Sequence, residues 1–323
     1  MSLKQKLIRI LGGGLICAAL IIPNPLVNAE DWNPDQAIAQ YTQTIRREPN
    51  NAVAYNNRGI AYNRKGDTNR AIEDLSQAIA LDPNYADAYN NRGTIYYALG
   101  EYDNAFNDFD RAVKLAPDNA VAHNNRGLVY AQKGSYASRT GKAQLRAECY
   151  NKAVEDYSKA ISLDSNYFEA YQNRGALYGY MNRDREAVAD LTKAIELRPN
   201  DNARIYAGRG ASYSAIKEID KALADYDRAL QMKPDYGTVY NNRGVIYLNK
   251  NELDRAIADF TKALTFQEVD AADAYNNRGV AYYRKGDYDQ AIDDFGRALS
   301  INQNLKGVLN NLQAAVAAKE RRG

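Results

Sequence analysis

The sequence predicts an all-α solenoid, in which pairs of antiparallel helices stack one after another. The first observation is a five-residue cluster, Tyr-Asn-Asn-Arg-Gly with local variations, that occurs seven times; it begins at Tyr55, Tyr89, His123, Tyr171, Tyr206, Tyr240 and Tyr275. The second is the spacing of the closing glycine, which stands at Gly59, Gly93, Gly127, Gly175, Gly210, Gly244 and Gly279. Successive glycines lie 34 or 35 residues apart, except for one interval of 48. A period near 34 is typical of repeated helix pairs.

Each unit contains two helical segments with a turn between them. Tyr55, Gly59 and Tyr62 are four and then three residues apart, so they share one face of the first helix. In the second helix Ala71 and Ala78 are seven residues apart. Between the two helices we expect a left-handed residue that ends the first helix. Its place is taken by Gly66, Gly100, Gly134 and Gly286 and by Asn182 and Asn251, and Lys217 is the exception.

This pattern resembles the tetratricopeptide repeat (TPR), in the bacterial variety that carries Asn-Arg-Gly, and the resemblance covers about residues 34 to 320. It implies a right-handed superhelix of antiparallel helix pairs with a concave groove that the first helices line. Such an array buries its core only between neighbouring units. The predicted organisation is a signal peptide (1–29), a half repeat (30–51), seven units (52–305) and a capping helix (306–323).

The first 29 residues differ in character from the remainder. Lys4, Lys6 and Arg9 precede an apolar run over 10–22, and a small-residue cleavage site ends at Ala29. This is the pattern of a bacterial secretory signal peptide, so we expect export to the periplasm or the exterior. A membrane anchor is the alternative, but 13 apolar residues fall short of the roughly 20 that span a bilayer. Lipidation at Cys17 is not expected, because Ile16 stands where a lipobox has a small residue.

The charge balance argues against two classes of partner. Removal of the signal takes three basic and no acidic residues from 42 Lys plus Arg and 40 Asp plus Glu, which leaves a net charge of −1 with His neutral. A chain so balanced has no electrostatic footprint for nucleic acid or anionic lipid, so neither is expected as a partner, and we expect no membrane insertion of the mature chain. Cys149 then has no intramolecular partner, and it is either a partly buried helix residue or the site of an intermolecular disulfide.

The third unit carries an insertion of 14 residues near 135–150. We expect a turn at 138–141, followed by an early extension of the second helix. Arg139, Lys142 and Arg146 make the segment basic. It is either a tolerated loop or a binding element.

The arginine of each cluster needs a partner, because isolated burial of a charge is costly. Every unit also has an aspartate three residues after the first alanine of its second helix: Asp74, Asp108, Asp156, Asp190, Asp225, Asp259 and Asp294. The half repeat lacks both residues. We therefore predict one Arg–Asp salt bridge within each unit.

One or two carboxamides stand just before each arginine in six units. The resemblance implies that the second of them contacts the backbone of an extended peptide in the groove, which assigns partner binding to Asn57, Asn91, Asn125, Asn173, Asn242 and Asn277. A carboxamide offers a donor and an acceptor side by side and so complements a peptide group. The alternative is that these amides bond to adjacent helices. The fifth unit interrupts the row with Ala207 and Gly208.

The sequence shows no metal-ligand cluster, no phosphate loop and no nucleophile with a base, so we expect neither an enzyme nor a cofactor. His123 is the only histidine and occupies a tyrosine place. The predicted function is a scaffold or adaptor for protein–protein interaction that binds a peptide segment. The alternatives are a structural component that self-assembles or joins an envelope complex, and a binder of cell-wall glycan. The sequence does not indicate the oligomeric state.

Overall fold

The computed structural model describes residues 33–200, 202–267, 269–305 and 307–321. The predicted signal peptide lies outside these ranges. All regular secondary structure in them is helical. The described residues fall into two compact parts, which we call the N-terminal half (33–177) and the C-terminal half (178–321). The division between them lies within one helix.

In the N-terminal half a single helix is followed by pairs of antiparallel helices joined by short turns. The helices are α1 (Pro34–Arg47), α2 (Ala52–Lys65), α3 (Thr68–Leu81), α4 (Ala86–Ala98), α5 (Tyr102–Leu115), α6 (Ala120–Arg139), α7 (Ala143–Leu163) and the larger part of α8 (Phe168–Tyr180). The first helix of each pair also contacts the first helix of the next pair, so α2 contacts α4 and α4 contacts α6.

The C-terminal half repeats this arrangement of helix pairs. Its helices are α9 (Asp184–Leu197), α10 (Ala203–Ala215), α11 (Ile219–Met232), α12 (Gly237–Asn249), α13 (Leu253–Ala263), α14 (Ala271–Lys285), α15 (Tyr288–Ile301) and α16 (Val308–Glu320). Here the first helices are α10, α12, α14 and α16. No described helix is both long and apolar enough to span a membrane.

Polar side chains start many of these helices. Asn33 Oδ1 accepts from the backbone N–H of Asp35 at 2.9 Å, and Pro34 follows as the first helical residue. Asn51 and Asn119 cap α2 and α6 in the same way. An N-cap oxygen satisfies one of the backbone donors that a helix start leaves unpaired.

The predicted left-handed residues between paired helices are confirmed in five units, and Lys217, the exception in the sequence, adopts the same conformation. Gly66, Gly100 and Gly286 have φ of 87°, 79° and 85°. Asn182, Asn251 and Lys217 adopt the same conformation at 60°, 62° and 69°. Lys217 thus accepts a conformation that is unfavourable for a residue with a Cβ.

The prediction for Gly134 is wrong. This glycine lies inside α6, and a Cβ at its position would collide with the ring of Tyr150 on α7. The helix continues instead to Arg139, and Gly141, with φ of 74°, makes the turn. The 14 extra residues therefore lengthen both helices of the third unit rather than forming a loop between them.

The cluster glycines allow the two helices of a unit to approach closely. A Cβ at Gly59 would lie 2.9 Å from Leu75 Cγ and 3.1 Å from the carbonyl oxygen of Ala71. Gly279 meets the ring of Phe295 at 2.8 Å in the same way. These three distances, each measured to a Cβ that the glycine lacks, are below ordinary van der Waals contact, so any side chain at these positions would push the helices apart.

The last helix, α16, packs on the preceding pair through a few residues. Val308 and Ala315 on α16 are buried against the preceding pair. Leu309 and Val316 on the same helix are 53% and 37% exposed. Only part of the apolar surface of α16 is therefore buried.

Candidate interaction site on the first helices

In six units the cluster arginine forms a bidentate salt bridge with the aspartate of its own unit, which confirms the prediction for those units. Nε and one terminal nitrogen of the guanidinium donate to the two carboxylate oxygens at 2.7–2.9 Å. The pairs are Arg58–Asp74, Arg92–Asp108, Arg126–Asp156, Arg209–Asp225, Arg243–Asp259 and Arg278–Asp294. Each pair ties the first helix of a unit to its second helix.

The remaining terminal nitrogen of the cluster arginine reaches the second helix of the preceding unit, which the sequence interpretation missed. It donates to a side-chain oxygen 16 or 17 residues earlier in the chain. The acceptors are Thr42, Ser76, Asp110, Ser158, Thr192, Asp227 and Thr261. One arginine therefore joins three helices. The recurrence of Ser, Thr or Asp 16 or 17 residues before each cluster arginine could have predicted this hydrogen bond from the sequence.

Tyrosines flank these guanidinium groups. Arg58 lies 5.5 Å from the ring centroid of Tyr55 and 5.9 Å from that of Tyr62. Arg243 lies 5.5 Å from Tyr240 and 5.8 Å from Tyr247. These distances permit cation–π attraction. The hydrogen bonds to Asp74 raise the pKa of Arg58, while burial acts in the opposite direction.

His123 is a packing residue, as its place in the repeat predicted. It is 7% exposed. Its Nδ1 lies 3.2 Å from Asp156 Oδ1 and its Nε2 lies 3.0 Å from the carbonyl oxygen of Pro117. The contact with Pro117 parallels the hydrogen bond that the Tyr206 hydroxyl donates to the carbonyl of Pro199. The imidazole thus substitutes for a tyrosine hydroxyl.

The carboxamides of adjacent first helices are hydrogen-bonded to one another. The second amide of a unit donates through Nδ2 to Oδ1 of the first amide in the preceding unit, and this bond spans 35 residues in three of its five occurrences. The donor–acceptor pairs are Asn91–Asn56 (2.9 Å), Asn125–Asn90 (3.0 Å), Asn173–Asn124 (3.0 Å), Asn277–Asn241 (3.4 Å) and Asn311–Asn276 (3.1 Å). We call this row of bonds the amide ladder.

The six predicted partner-binding residues occupy two environments. Asn91, Asn125, Asn173 and Asn242 are only 1–6% exposed. Asn57 and Asn277 are half-buried. The bonds to adjacent helices that were the alternative interpretation are present at Asn91, Asn125, Asn173 and Asn277. Contact with a partner stays a prediction for all six residues, and the two half-buried ones are the more accessible.

Unused hydrogen-bonding groups remain along the amide ladder. Asn57 Oδ1 accepts from Asn56, and Asn90 and Asn276 accept from the next first helix. The Nδ2 groups of these three half-buried residues donate to no residue that the structure describes. A carboxamide can donate two hydrogen bonds and accept two, so each of them can also bind an acceptor from outside. The sequence interpretation missed Asn90, Asn276 and Asn311, because it considered each cluster separately.

The insertion contributes a separate, exposed feature. Tyr136 at the end of α6 and Leu145 at the start of α7 are 59% and 44% exposed. Cys149 on α7 is buried, and burial raises the pKa of its thiol. A buried, protonated thiol is a poor nucleophile, which favours the first of the two roles considered for this residue.

Family models of the tetratricopeptide repeat match most of the chain. One matches residues 203–236, 238–268 and 272–305. Another TPR model matches 61–100, 93–134 and 146–182, and two further models match 40–73 and 168–201. Residues 135–145, at the tip of the lengthened helix pair, lie between matches. A search of curated protein sequences gave no match.

Solved structures show the same fold at low sequence identity. A tetratricopeptide repeat protein from Parabacteroides merdae has a TM-score of 0.52 and 21% identity, over 87% of this chain and 99% of its own. PilF from Pseudomonas aeruginosa has a TM-score of 0.57 and 18% identity, over 72% and 96%. YrrB, described as a TPR protein with an unusual peptide-binding site, has a TM-score of 0.52 and 21% identity, over 67% and 99%. With the family matches, these likenesses establish that the chain is a tetratricopeptide repeat protein.

Proposed function

We propose that this protein is a non-enzymatic scaffold that binds an extended peptide segment of a partner protein along its first helices. The TPR fold is typical of protein–protein interaction scaffolds. The observation that carries the finer proposal is the set of unused amide N–H groups on half-buried Asn57, Asn90 and Asn276. Asn57 and Asn90 lie on the successive first helices α2 and α4, as the carbonyl groups of an extended chain recur along its length, and Asn276 on α14 offers the same group in the C-terminal half.

The amide ladder supports this proposal by ordering the donors in advance. Asn90 is held by the hydrogen bond from Asn125, and Asn57 by the bond from Asn56. A side chain that is already ordered loses less conformational entropy when a ligand arrives. N–H groups that donate to any carbonyl oxygen recognise the backbone of a segment, and their binding depends little on its sequence.

The test removes the donors and keeps the ladder. The double change Asn57→Asp and Asn90→Asp retains an oxygen that accepts from Asn56 and from Asn125 but removes both N–H groups. The control, Asn69→Asp and Asn107→Asp, adds the same charge at exposed positions on the second helices α3 and α5. Peptides are selected from an unbiased displayed library, and their affinities are measured for both variants and the wild type.

We expect the first variant to lose at least tenfold in affinity, since each lost hydrogen bond to a peptide carbonyl is worth about 1 kcal/mol. The control should bind as the wild type does. Equal affinities for the two variants would contradict the proposal. Sedimentation and binding to muropeptides test the two alternatives, self-assembly and glycan binding, on the same samples.

We also propose that the chain is exported and cleaved after Ala29. The sequence pattern of 1–29 carries this proposal. Sequencing the N-terminus of the protein purified from its native host should find Glu30 first. A first residue before Glu30, or an attached lipid, would be evidence for an anchored form.

A further inference from the structure

The lengthened helix pair of the third unit ends in a continuously exposed tip. Residues 138–148, which contain the turn between α6 and α7, are all exposed, and so is Tyr136. We call residues 136–148 the insertion tip. A helix rises about 1.5 Å per residue, so the whole range lies within roughly 11 Å of the turn along the helix axes. Because the family models match none of residues 135–145, the repeat itself does not account for most of these side chains.

Three cations in the insertion tip have no counter-charge. They form no salt bridge with any carboxylate in the part of the chain that the structure describes; they are Arg139, Lys142 and Arg146. By contrast Lys133, earlier on the same helix α6, bonds to Asp103 on α5 at 2.8 Å. Glu148 is the only acidic residue of the tip, so three positive charges and one negative charge leave the tip with a net charge of +2.

The sign of this charge is the reverse of that at the start of the other second helices. Each of the others in the described ranges has a carboxylate at its N-cap or in its first turn: Asp35, Asp67, Asp103, Asp184, Asp220, Asp254 and Asp289. Helix α7 has Lys142 at its N-cap and no acidic residue in its first turn, and Arg146 follows. Cations near a helix N-terminus oppose the helix dipole. The stability of α7 therefore does not explain them, which favours a role in binding.

Two exposed apolar side chains accompany the cations. Tyr136 is 59% exposed and lies one turn before Arg139 on α6. Leu145 is 44% exposed and lies three residues after Lys142 on α7. Residues three apart on a helix are neighbours on its surface, so each apolar side chain stands beside a cation. The tip thus offers a ligand both positive charge and apolar surface.

We propose that the insertion tip binds an acidic segment of a partner protein, in which carboxylates flank an apolar side chain. This inference goes beyond the proposed function, because it uses none of the amides on the first helices. The guanidinium groups of Arg139 and Arg146 donate paired hydrogen bonds to carboxylates, and Lys142 adds a third cation. The apolar side chain of the segment packs on Leu145. The preceding turn, where Glu101 caps α5, repels the same segment.

An anionic membrane is the other large ligand with this charge, and it fits less well. Basic clusters that bind anionic lipids contain about four to eight Lys or Arg residues, whereas the tip has three. A flat membrane would also approach the acidic groups near the tip. These are Glu148 in the tip and Asp103 at the start of α5, whose side chain is 92% exposed. A short acidic segment can contact the cations and avoid both carboxylates.

The test is an NMR titration of the full chain with two peptides. The acidic peptide is Glu-Glu-Leu-Glu-Glu with blocked ends, and its neutral counterpart is Gln-Gln-Leu-Gln-Gln. The backbone amides of Thr140 and Gly141 report on the tip. We expect saturable shifts with the acidic peptide that weaken as salt is added, and none with the neutral peptide. Equal binding of the two peptides, or no saturable shift with the acidic one, would overturn the proposal.

Variants of matched charge make the result specific. The tip variant combines Arg139→Gln, Lys142→Gln and Arg146→Gln, and its dissociation constant for the acidic peptide should be at least tenfold higher. The control combines Arg46→Gln, Arg47→Gln and Lys159→Gln, which removes three exposed cations elsewhere and should bind as the wild type does. Equal affinities for the two variants would overturn the proposal.

A second variant covers the case in which the tip variant does not fold. Leu145→Ser should weaken binding of the acidic peptide about threefold through lost apolar contact, while Leu309→Ser, at an exposed leucine of α16, should not change it. Unchanged binding by Leu145→Ser would then overturn the proposal. Sedimentation with vesicles of phosphatidylglycerol and phosphatidylcholine tests the membrane. Retention on these vesicles without binding of the acidic peptide would also overturn it.

The result is separable from that of the peptide-library experiment. A selected peptide whose affinity depends on Asn57 and Asn90, and not on the three tip cations, supports the proposed function alone. A peptide that depends on the tip cations, and not on the two asparagines, supports this inference alone.

Discussion

Arg278 on α14 and Asp294 on α15 form two parallel hydrogen bonds of 2.8 and 2.7 Å, and the Asp294 side chain is only 1% exposed. The guanidinium is 14% exposed and lies between the rings of Tyr275 and Tyr282. Removal of the arginine would leave a buried carboxylate without its counter-charge. The pair is therefore a structural element that unfolding experiments can measure.

We expect Arg278→Ala to lower the free energy of unfolding by about 3 kcal/mol, because the burial of an unpaired carboxylate is costly. The matched control is Arg297→Ala on α15, whose partner Asp293 is as exposed as the arginine, at 54% each. An exposed pair contributes about 0–1 kcal/mol. Urea unfolding followed by circular dichroism measures both variants. Equal losses for the two would show that burial of the pair has no energetic effect.

Gly134 and Gly296 should respond in opposite directions to a change to alanine. Gly134→Ala adds a methyl group against the Tyr150 ring and should destabilise the protein by about 1–3 kcal/mol. Gly296 lies in the middle of α15, and an added Cβ there would meet no atom within 4 Å, so Gly296→Ala should stabilise that helix by about 0.5–1 kcal/mol. Thermal unfolding of the two variants tests both signs. A stable Gly134→Ala protein would show that α6 and α7 can separate at low cost.

Lys217 is a position where a glycine should increase stability. Its φ of 69° is costly for a side chain with a Cβ, and the residue is exposed. Lys217→Gly should therefore stabilise the protein by about 0.5–1 kcal/mol. The reverse change at the matching place, Gly286→Ala with φ of 85°, should destabilise it by about 1 kcal/mol. A loss of stability in Lys217→Gly would mean that the lysine side chain has a contact that outweighs its backbone strain.

Cys149 should react slowly with alkylating reagents in the folded protein. Burial raises the pKa of its thiol, so less of the reactive thiolate is present at any given pH. The expected rate with iodoacetamide at about pH 8 is at least tenfold below that of the same protein in urea, and it should rise with pH above the range of a free cysteine. A Cys17→Ser background leaves Cys149 as the only thiol. Equal rates in the folded and unfolded protein would contradict this description of the site.

The sequence was sufficient to predict features that lie within one unit. The Arg–Asp bridges followed from an arginine that needed a partner in every unit and an aspartate at a constant offset from the first alanine of the second helix. Five left-handed turn residues followed from Gly or Asn at the end of the first helix, whereas the left-handed conformation of Lys217 did not follow from its residue type. Gly134 was mistaken for such a residue because its offset matched, although the inserted residues after it continue the helix.

Features that join units were harder to predict. The amide ladder links residues of different units, and which edge of an amide is used depends on side-chain rotamers that no spacing reveals. The third hydrogen bond of each arginine was missed because its acceptor changes between Ser, Thr and Asp.

The three-helix contact of each cluster arginine has a consequence for how such a chain can evolve. Any second helix with Ser, Thr or Asp at the right place, such as Ser76 or Asp227, can satisfy the arginine of the unit that follows it. Duplication or loss of one repeat-length block would therefore bring a compatible donor and acceptor together at the new junction. Gene recombination can change the number of units without a compensating substitution, and selection then acts on the few positions, such as Ala207, where one unit differs from the others.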